Sequence, residues 1–254
     1  MRIPPALAAL VLLLACARTG ESAGRVLVFS KTAAFRHDSI PDGIAAIRNL
    51  GAEHGFAVEA TEDASVFEDS RLARYGAVVF LSTSGDILDD GQQAAFQRYI
   101  EKGGGFVGVH SAAATEYDWP WYGALVGAYF KGDPAVQPAA IAIADRVHPS
   151  TRNLPPRWNR TDEWYNFRSS PRGSVHVLAT VDEASYSGGA MGADHPIAWY
   201  QFYDGGRAFY TALGHTRESY TEPLFLRHLL GGIQFAAGFP DGDSPGARSA
   251  QPRR

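Results

Sequence analysis

The sequence predicts an α/β fold, a doubly wound and mainly parallel sheet with an irregular, β-rich middle segment. Its 254 residues are enough for one large domain with a sizeable core. Hydrophobic residues make up 45% and charged residues 20%, which is typical of a globular chain and not of a disordered or coiled-coil one. Between residues 25 and 110, short apolar runs alternate with amphipathic helical patterns. This order is typical of parallel strands joined by helices.

Charge and cysteine content exclude two further classes of protein. The formal net charge of −4 offers no basic surface for nucleic acid, so nucleic acid is not an expected partner. The single cysteine, Cys16, excludes an intrachain disulfide framework and a cysteine-rich zinc module.

The first 24 residues are interpreted as an export segment that lies outside the fold. Arg2 precedes an apolar run at residues 6–15, which as a helix would span about 15 Å, half of a hydrocarbon core. Such a run is typical of a signal peptide. The LLAC at residues 13–16 is similar to a bacterial lipobox, in which the cysteine becomes the lipidated first residue. We therefore expect an exported cell-envelope lipoprotein that is anchored to the membrane at Cys16, at the outer membrane in a two-membrane bacterium.

Two alternatives remain open for this segment. One is a plain signal peptide that is cleaved near Ala17 or Ala23, and the other is a misassigned start codon. In the lipoprotein interpretation, residues 19–24 form a short tether to the domain.

The first half of the domain contains four predicted strands, at residues 25–30, 57–61, 77–82 and 106–110. A helix is expected to begin at Ser39 and to end at Gly55, because serine favours the N-cap and glycine the position after the last turn. A second helix is expected to begin at Asp89, since Gln92 stands three residues later as in a capping box. The three glycines at residues 103–105 end it.

The second half is less regular. A short helix is predicted at residues 119–126, and a loop at residues 154–158 because of its prolines. Strands are predicted at residues 139–144, 175–181, 196–202 and 207–213, with a turn at 203–206 joining the last two. A closing helix begins at residues 221–223 and ends at Gly238. Residues 25–238 then form one domain, followed by a disordered tail at 239–254.

Three histidines follow predicted strands. His37, with Asp38 beside it, comes after the first strand, His110 and Ser111 end the fourth, and His215 follows the last. Ligands of open parallel sheets bind beyond the carboxyl ends of the strands, so these side chains are expected to converge there. The remaining histidines are interpreted otherwise: His54, His176 and His228 as structural and His148 as solvated.

Two segments combine acids with aromatic residues, at 115–122 and at 162–167. Aromatic rings stack on the apolar faces of sugars while carboxylates accept hydrogen bonds from hydroxyl groups, so this composition suits a carbohydrate groove. Core packing is the alternative for each tryptophan. Glu163 stands beside Trp164, and a desolvated carboxyl at that place would have the raised pKa of a general acid.

Five ordered segments, at residues 104–110, 115–122, 161–165, 194–199 and 206–216, resemble the trehalose-utilization (ThuA-like) family. The resemblance implies a flavodoxin-like fold of the class I glutamine amidotransferase-like superfamily and a carbohydrate substrate. Together with the strand ends, it nominates ten substrate-binding residues: His37, Asp38, Ser111, Glu116, Tyr117, Trp119, Trp164, Tyr165, His195 and Trp199.

The amidotransferase nucleophile is missing from this sequence. Amidotransferases of this superfamily carry a cysteine in a Gly-x-Cys turn, where this chain has Gly108, Val109 and His110. His215 falls at the place of the triad histidine, but the following acid, Glu218, stands three residues later and not two. Because no thiolate is available to form a thioester, glutaminase activity is not expected.

Three functions remain open. The first is a sugar-active hydrolase, lyase or isomerase that uses His110, His215 and Glu163 as catalytic acid–base groups. The second is an enzyme dependent on a divalent metal such as zinc, with His37, His110 and His215 as ligands and Glu163 as ligand or base. The third is a sugar-binding lipoprotein without catalysis. Convergence of the three histidines within about 5 Å would favour the first two. The sequence indicates no oligomeric state.

Overall fold

The computed structural model describes residues 24–240 of the chain. The export segment with Cys16 and the part of the expected tail beyond residue 240 lie outside the described residues. Phe239, which the sequence places at the start of that tail, packs with its ring centroid 5.6 Å from that of Phe56. Within residues 24–240, no helix is long and apolar enough to cross a membrane.

Eleven strands and five α-helices make up the described residues. The strands are β1 (Arg25–Phe29), β2 (Ala57–Thr61), β3 (Ala77–Leu81), β4 (Gly105–Val109), β5 (Phe130–Gly132), β6 (Gln137–Ile143), β7 (Arg157–Asp162), β8 (Asn166–Phe167), β9 (His176–Val181), β10 (Pro196–Tyr203) and β11 (Gly206–Thr211). The helices are α1 (Ile40–His54), α2 (Asp69–Leu72), α3 (Asp90–Glu101), α4 (Pro120–Val126) and α5 (Pro223–Ala237).

Nine of the strands form one mixed sheet in the order β2-β1-β3-β4-β11-β10-β9-β6-β7, and β5 pairs with β8 in a separate ribbon. The pairs β2–β1, β1–β3, β3–β4 and β4–β11 are parallel, and the remaining pairs of the large sheet are antiparallel. The carboxyl ends of β1, β3, β4 and β11 therefore lie along the same edge.

Helices cover both faces of the sheet. On one face, the α3 side chain Phe96 stacks on Phe80 at 5.2 Å between centroids and also contacts Phe106. On the other face, Gly232 of α5 lies so close to Phe209 that a Cβ there would meet the ring at 2.3 Å. Neighbouring residues of a strand point to opposite faces, so these contacts confirm the predicted doubly wound arrangement.

The predicted helix ends are also found. The Asp89 carboxylate accepts a hydrogen bond from the backbone N–H of Gln92. The Gln92 side-chain oxygen accepts one from the backbone N–H of Asp89, and this pair is the predicted capping box. Gly55 and Gly238 end α1 and α5 in the left-handed conformation. The Ser39 hydroxyl does not cap α1, and instead its nearest partner is the Gly214 carbonyl at 3.5 Å.

The predicted loop at residues 154–158 is wrong in its second part, because β7 begins at Arg157. The strand alternates between exposed and buried residues, and its buried positions are Trp158, Arg160 and Asp162. Two charged residues on the buried face conceal the usual alternation of polar and apolar positions. Sequence analysis also did not identify β5, β8 and α2, which are two to four residues long.

Candidate functional site

Three histidines meet at the carboxyl edge of the parallel strands. His37 lies in the loop after β1, His110 directly follows β4, and His215 lies beyond β11. His110 Nε2 is 3.0 Å from His37 Nε2 and 3.1 Å from His215 Nδ1. The convergence predicted from the strand ends is therefore found.

Glu163 joins this cluster from the far edge of the sheet. Its Oε2 atom lies 3.3 Å from His110 Nε2 and 3.1 Å from His215 Nδ1. The preceding residue, Asp162, brings it there: the wholly buried Asp162 carboxylate accepts hydrogen bonds from the backbone N–H groups of Gly214 at 2.9 Å and His215 at 3.1 Å. These bonds attach the end of β7 to the loop after β11.

The four side chains His37, His110, His215 and Glu163 have the arrangement of a metal centre. One ligand atom from each lies within 4.8 Å of all the others. Four of the six distances among these atoms are 3.0–3.3 Å, and the two from His37 to His215 and Glu163 are at most 4.8 Å. Ligand atoms bound to zinc at about 2.0–2.1 Å lie roughly 3.3–3.4 Å apart in a tetrahedral site. The atoms of His110, His215 and Glu163 are therefore spaced much like zinc ligands, and that of His37 lies beside them.

The tautomer of His110 supports this interpretation. Its Nδ1 lies 2.8 Å from the carbonyl oxygen of Ala212, which can only accept, so Nδ1–H must be the donor. A neutral His110 then carries a lone pair on Nε2, the atom that faces the other three ligand atoms. A ring nitrogen held in this way by a carbonyl on its other side is the usual support of a histidine bound to a metal.

His110 has a strained backbone conformation. Its φ of +53° lies in the left-handed region, which a residue with a side chain adopts at a cost of roughly 1 kcal/mol or more. The Tyr210 hydroxyl donates to the His110 carbonyl at 2.9 Å and holds this turn. The left-handed residue of the turn is His110 and not the nearby glycine, Gly108. Gly108 instead makes room for Tyr210, whose Cδ2 would lie 2.9 Å from a Cβ at that position.

Burial and mutual charge shift the pKa values of the cluster. Burial, followed by the neighbouring His110 and His215, lowers the pKa of His37 to about 3, so this imidazole stays neutral. Burial would raise the pKa of Glu163, but the adjacent His110 and His215 outweigh it and keep that pKa well below its usual range. Burial would lower the pKa of His215, but its contact with the Glu163 carboxylate outweighs it and raises that pKa. The cluster thus offers a carboxylate and the neutral imidazole of His37, and a metal ion would displace a proton held at His215.

Three further predicted residues lie next to the cluster. Ser111 Oγ is 3.4 Å from His37 Nδ1. The Tyr165 ring lies 4.2 Å from the His110 ring between centroids, and it is buried. Asp38 is exposed in the same loop as His37.

Other residues nominated for sugar binding are buried and form hydrogen bonds in the interior. The ring nitrogens of Trp164 and Trp199, both 1% exposed, donate to the carbonyls of Gln137 and Val126. The buried His195 lies 2.8 Å from the Tyr165 carbonyl and 2.9 Å from Glu183. These contacts leave no face of either tryptophan open to a sugar in this structure, so packing in the core accounts for them.

The acidic and aromatic segment at residues 115–122 is likewise structural in large part. The buried Glu116 carboxylate accepts from the backbone N–H groups of Ile87 and Leu88, each at 2.8 Å, which holds the start of the segment before α3. The Tyr117 hydroxyl donates to the Phe130 carbonyl, and the half-buried Trp119 stacks on Trp121 at 5.0 Å.

Two histidines are more buried than residues at the end of a strand or in a loop usually are. His110 is completely buried, since Tyr165, His37, His215 and Glu163 surround it. His148, expected to be solvated, is 6% exposed and its ring stacks on Tyr200 at 4.5 Å.

Two residues at the rim of the cluster were not predicted from the sequence. Asp133 follows the three-residue strand β5 and lies next to Glu163; burial and the Glu163 charge raise the pKa of Asp133 to about 6. Phe35 is 66% exposed, and its ring centroid lies 4.8 Å from that of His37. Phe35 could have been identified from its place in the loop after the first strand, whereas no sequence signal marks Asp133.

Comparison with known proteins identifies the fold. The family model ThuA, described as trehalose utilisation, matches residues 25–236. A ThuA-like protein from Bacteroides uniformis is 24% identical with a TM-score of 0.72, and the match covers 84% of this chain and 91% of that one. A ThuA-like protein from Parabacteroides merdae is 18% identical with a TM-score of 0.68, and the match covers 85% of this chain and 91% of that one.

A more distant likeness is to a β-galactosidase from Bacillus circulans, with 15% identity and a TM-score of 0.56, covering 87% of this chain and 34% of that one. At these identities the structural likenesses show the fold alone, and they agree with the predicted flavodoxin-like arrangement. No curated protein sequence matches the chain.

Proposed function

The chain belongs to the ThuA family, described as trehalose utilisation, and on that premise we propose that it is a metal-dependent enzyme acting on a carbohydrate. The observation that carries the proposal is the convergence of three imidazole nitrogens and one carboxylate oxygen within 4.8 Å. The family description, trehalose utilisation, supports a disaccharide as the substrate, and the proposal extends to a glycoside or a keto-sugar.

The donor set indicates a transition metal such as zinc. Three imidazoles with one carboxylate suit zinc, whereas magnesium and calcium prefer oxygen ligands. His37, His110, His215 and Glu163 would hold the ion, and the Ala212 carbonyl and Ser111 hydroxyl would orient two of the imidazoles from behind. When bound, such an ion would polarise a carbonyl or hydroxyl oxygen of a substrate that binds as a fifth ligand, or as the fourth where Glu163 acts as a base and not as a ligand.

A site without metal explains the geometry less well. A neutral His110 with its proton on Nδ1 would face the Glu163 carboxylate across 3.3 Å with a lone pair on each atom and no proton between them. A bound cation instead satisfies all four ligand atoms together. Asp133, which is exposed and lies next to Glu163, is then the carboxyl placed to contact a substrate hydroxyl.

The test is a metal analysis of the purified protein, followed by assays. We expect about one zinc per chain in the wild type, and less than about a tenth of that in His110→Ala and His215→Ala. His54→Ala, a change at an exposed histidine of α1, should keep the full content and serves as the control. Turnover of trehalose or its 3-keto form should require the ion. Zinc content that does not depend on His110 would refute the metal site.

A sugar-binding protein without catalysis is the outcome to distinguish. It would bind the sugar with the same affinity in the wild type and in His110→Ala, and the zinc-loaded wild type would show no turnover.

We also propose that the protein is exported and lipidated at Cys16, from the LLAC at residues 13–16. Cys16→Ser should lose incorporation of a labelled fatty acid and should move from the membrane fraction to the soluble fraction. Unchanged membrane association of Cys16→Ser would contradict the lipid anchor, and a labelled variant would contradict the attachment site.

A further inference from the structure

Four large hydrophobic side chains are exposed among residues 24–240: Phe35 at 66%, Val136 at 42%, Val147 at 83% and Phe202 at 69%. A single exposed phenylalanine is ordinary on a protein surface and indicates nothing by itself. Phe35 differs in its position, because its ring meets the edge of a metal-site imidazole, His37, at 4.8 Å and 78°. Phe202 instead packs against Tyr200 and Phe235.

The loop that carries Phe35 is held firmly by the loop after β3. The Ala33 N–H donates to the Ser84 carbonyl at 2.7 Å, and the buried Ser84 hydroxyl donates to the Phe35 carbonyl at 2.6 Å. Lys31 Nζ donates to the carbonyl of Ile87 at 2.8 Å. The backbone on both sides of Phe35 is therefore fixed while its ring faces water. A fixed aromatic ring beside a reactive centre is the usual form of a preorganised contact for a ligand.

We propose that the Phe35 ring is the platform on which the apolar face of a substrate pyranose ring stacks, beside the metal site. This inference rests on the proposed function. The tryptophans that the sequence nominates for stacking, Trp164 and Trp199, are buried and cannot serve as the platform in this structure. The Phe35 side chain is 66% exposed, and the C–H faces of a sugar are attracted to the negative face of an aromatic ring.

Two exposed carboxyl groups near the cluster add polar contacts to this binding mode. Asp38 lies three residues further along the same loop as Phe35, and Asp133 lies next to Glu163. Their carboxyl oxygens can accept hydrogen bonds from the hydroxyls of a bound sugar. An apolar platform combined with acceptors matches the two chemical faces of a pyranose.

The experiment uses the full-length, zinc-loaded protein. Calorimetric titration measures its affinity for trehalose, and metal analysis measures its zinc content. Phe35→Ala should weaken trehalose binding about tenfold, because it removes the stacking surface. Phe35→Trp should restore binding to within about threefold, since indole offers a larger face. Phe202→Ala removes an equally exposed ring elsewhere and should bind trehalose like the wild type.

Each failure has a separate signature. Equal trehalose affinity in the wild type and Phe35→Ala, at equal zinc content, would overturn the platform and leave the metal-dependent function intact. A protein that takes up no zinc but loses trehalose binding in Phe35→Ala would support the platform and refute the metal site. A zinc-loaded wild type that binds no trehalose would overturn the platform for this sugar.

Discussion

The surroundings of His110 suit a metal ligand. Its imidazole is completely buried, with Nδ1 donating to the Ala212 carbonyl. The remaining nitrogen faces two other imidazoles and a carboxylate. The strained turn with a φ of +53° directs this nitrogen into the proposed metal site. At the scale of one residue, the backbone conformation and a single carbonyl contact therefore define which nitrogen is presented.

His228 shows the opposite role for a buried histidine, far from this cluster. Its Nδ1 donates to the Ser150 carbonyl at 3.1 Å, and its Nε2 is buried without a hydrogen-bond partner. Burial, opposed by this hydrogen bond and assisted by Arg160 and His148, lowers its pKa from 6.5 to about 3. Protonation in the folded state would place a charge beside the Arg160 guanidinium, so the side chain remains neutral.

Stability should therefore depend on pH through His228. Below pH 6.5 the unfolded chain binds a proton at this residue, and the folded chain does not until about pH 3, so unfolding becomes easier as the pH falls through this window. The contribution has a slope of at most about 1.4 kcal/mol per pH unit and is absent above pH 7. Urea unfolding between pH 7 and pH 5 measures it.

His228→Asn keeps a donor for the Ser150 carbonyl and removes the titrating group. Its free energy of unfolding should fall less steeply than that of the wild type between pH 7 and pH 5. His54→Asn, at an exposed position of α1, should keep the wild-type slope. Parallel pH curves for His228→Asn and the wild type would disprove the assignment.

Among the structural elements, β7 is the one that completes the site. It lies at the outer edge of the sheet, next to β6, yet its last residue reaches the loop after β11. The Arg160 guanidinium, 7% exposed, lies 3.1 Å from the Asp162 carboxylate and balances its charge. This buried pair therefore connects an edge strand to the proposed metal site.

Asp162→Asn should lower the free energy of unfolding and weaken metal binding. The change leaves Arg160 buried without its nearest carboxylate, a loss of about 3–5 kcal/mol in unfolding free energy. It also weakens the contacts to the N–H groups of Gly214 and His215 that place Glu163. Chemical denaturation and a chelator competition titration measure the two effects.

Arg157→Gln is the matched control on the same strand. Arg157 pairs with Asp182 at 3.3 Å on the surface, with side chains 59% and 39% exposed, so its loss should change stability by less than about 1 kcal/mol. Similar losses in Arg157→Gln and Asp162→Asn would show that β7 is sensitive to any change and that the buried pair has no special role.

The contrast between β7 and the parallel strands explains which parts of the fold and of the site could be predicted from the sequence. Strands such as β3 are buried along their whole length and read as continuous apolar runs, so their position could be predicted to within a residue. The histidines could be predicted because they follow such strands. Glu163 could be nominated, but its attachment through β7 could not, because Arg160 and Asp162 conceal the strand. The buried Trp164 and Trp199 could not be distinguished from a sugar platform, since composition does not report which face of a ring is covered.

On the scale of the whole molecule, the proposed metal site joins segments that are distant in the chain. His37, His110, Glu163 and His215 come from loops after β1, β4, β7 and β11, which together span most of the sheet. An ion bound to all four would connect the parallel half to the antiparallel half. Unfolding would separate the ligands, so metal binding and folding are thermodynamically coupled.

Zinc should therefore stabilise the entire fold in a concentration-dependent way. A ligand that binds only the folded state adds about 2.7 kcal/mol to the unfolding free energy at a free concentration of 100 times its Kd, and about 4.1 kcal/mol at 1,000 times. The wild type should show a rise in Tm with added zinc and a return to the metal-free value with a chelator. His215→Ala, which removes a ligand that is only partly buried, should fold without metal and show no such rise. Thermal unfolding at several zinc concentrations measures both. A Tm that rises equally in the wild type and in His215→Ala would mean that zinc acts elsewhere on the protein, since the loss of one of four ligands must weaken an ion held at this edge of the sheet.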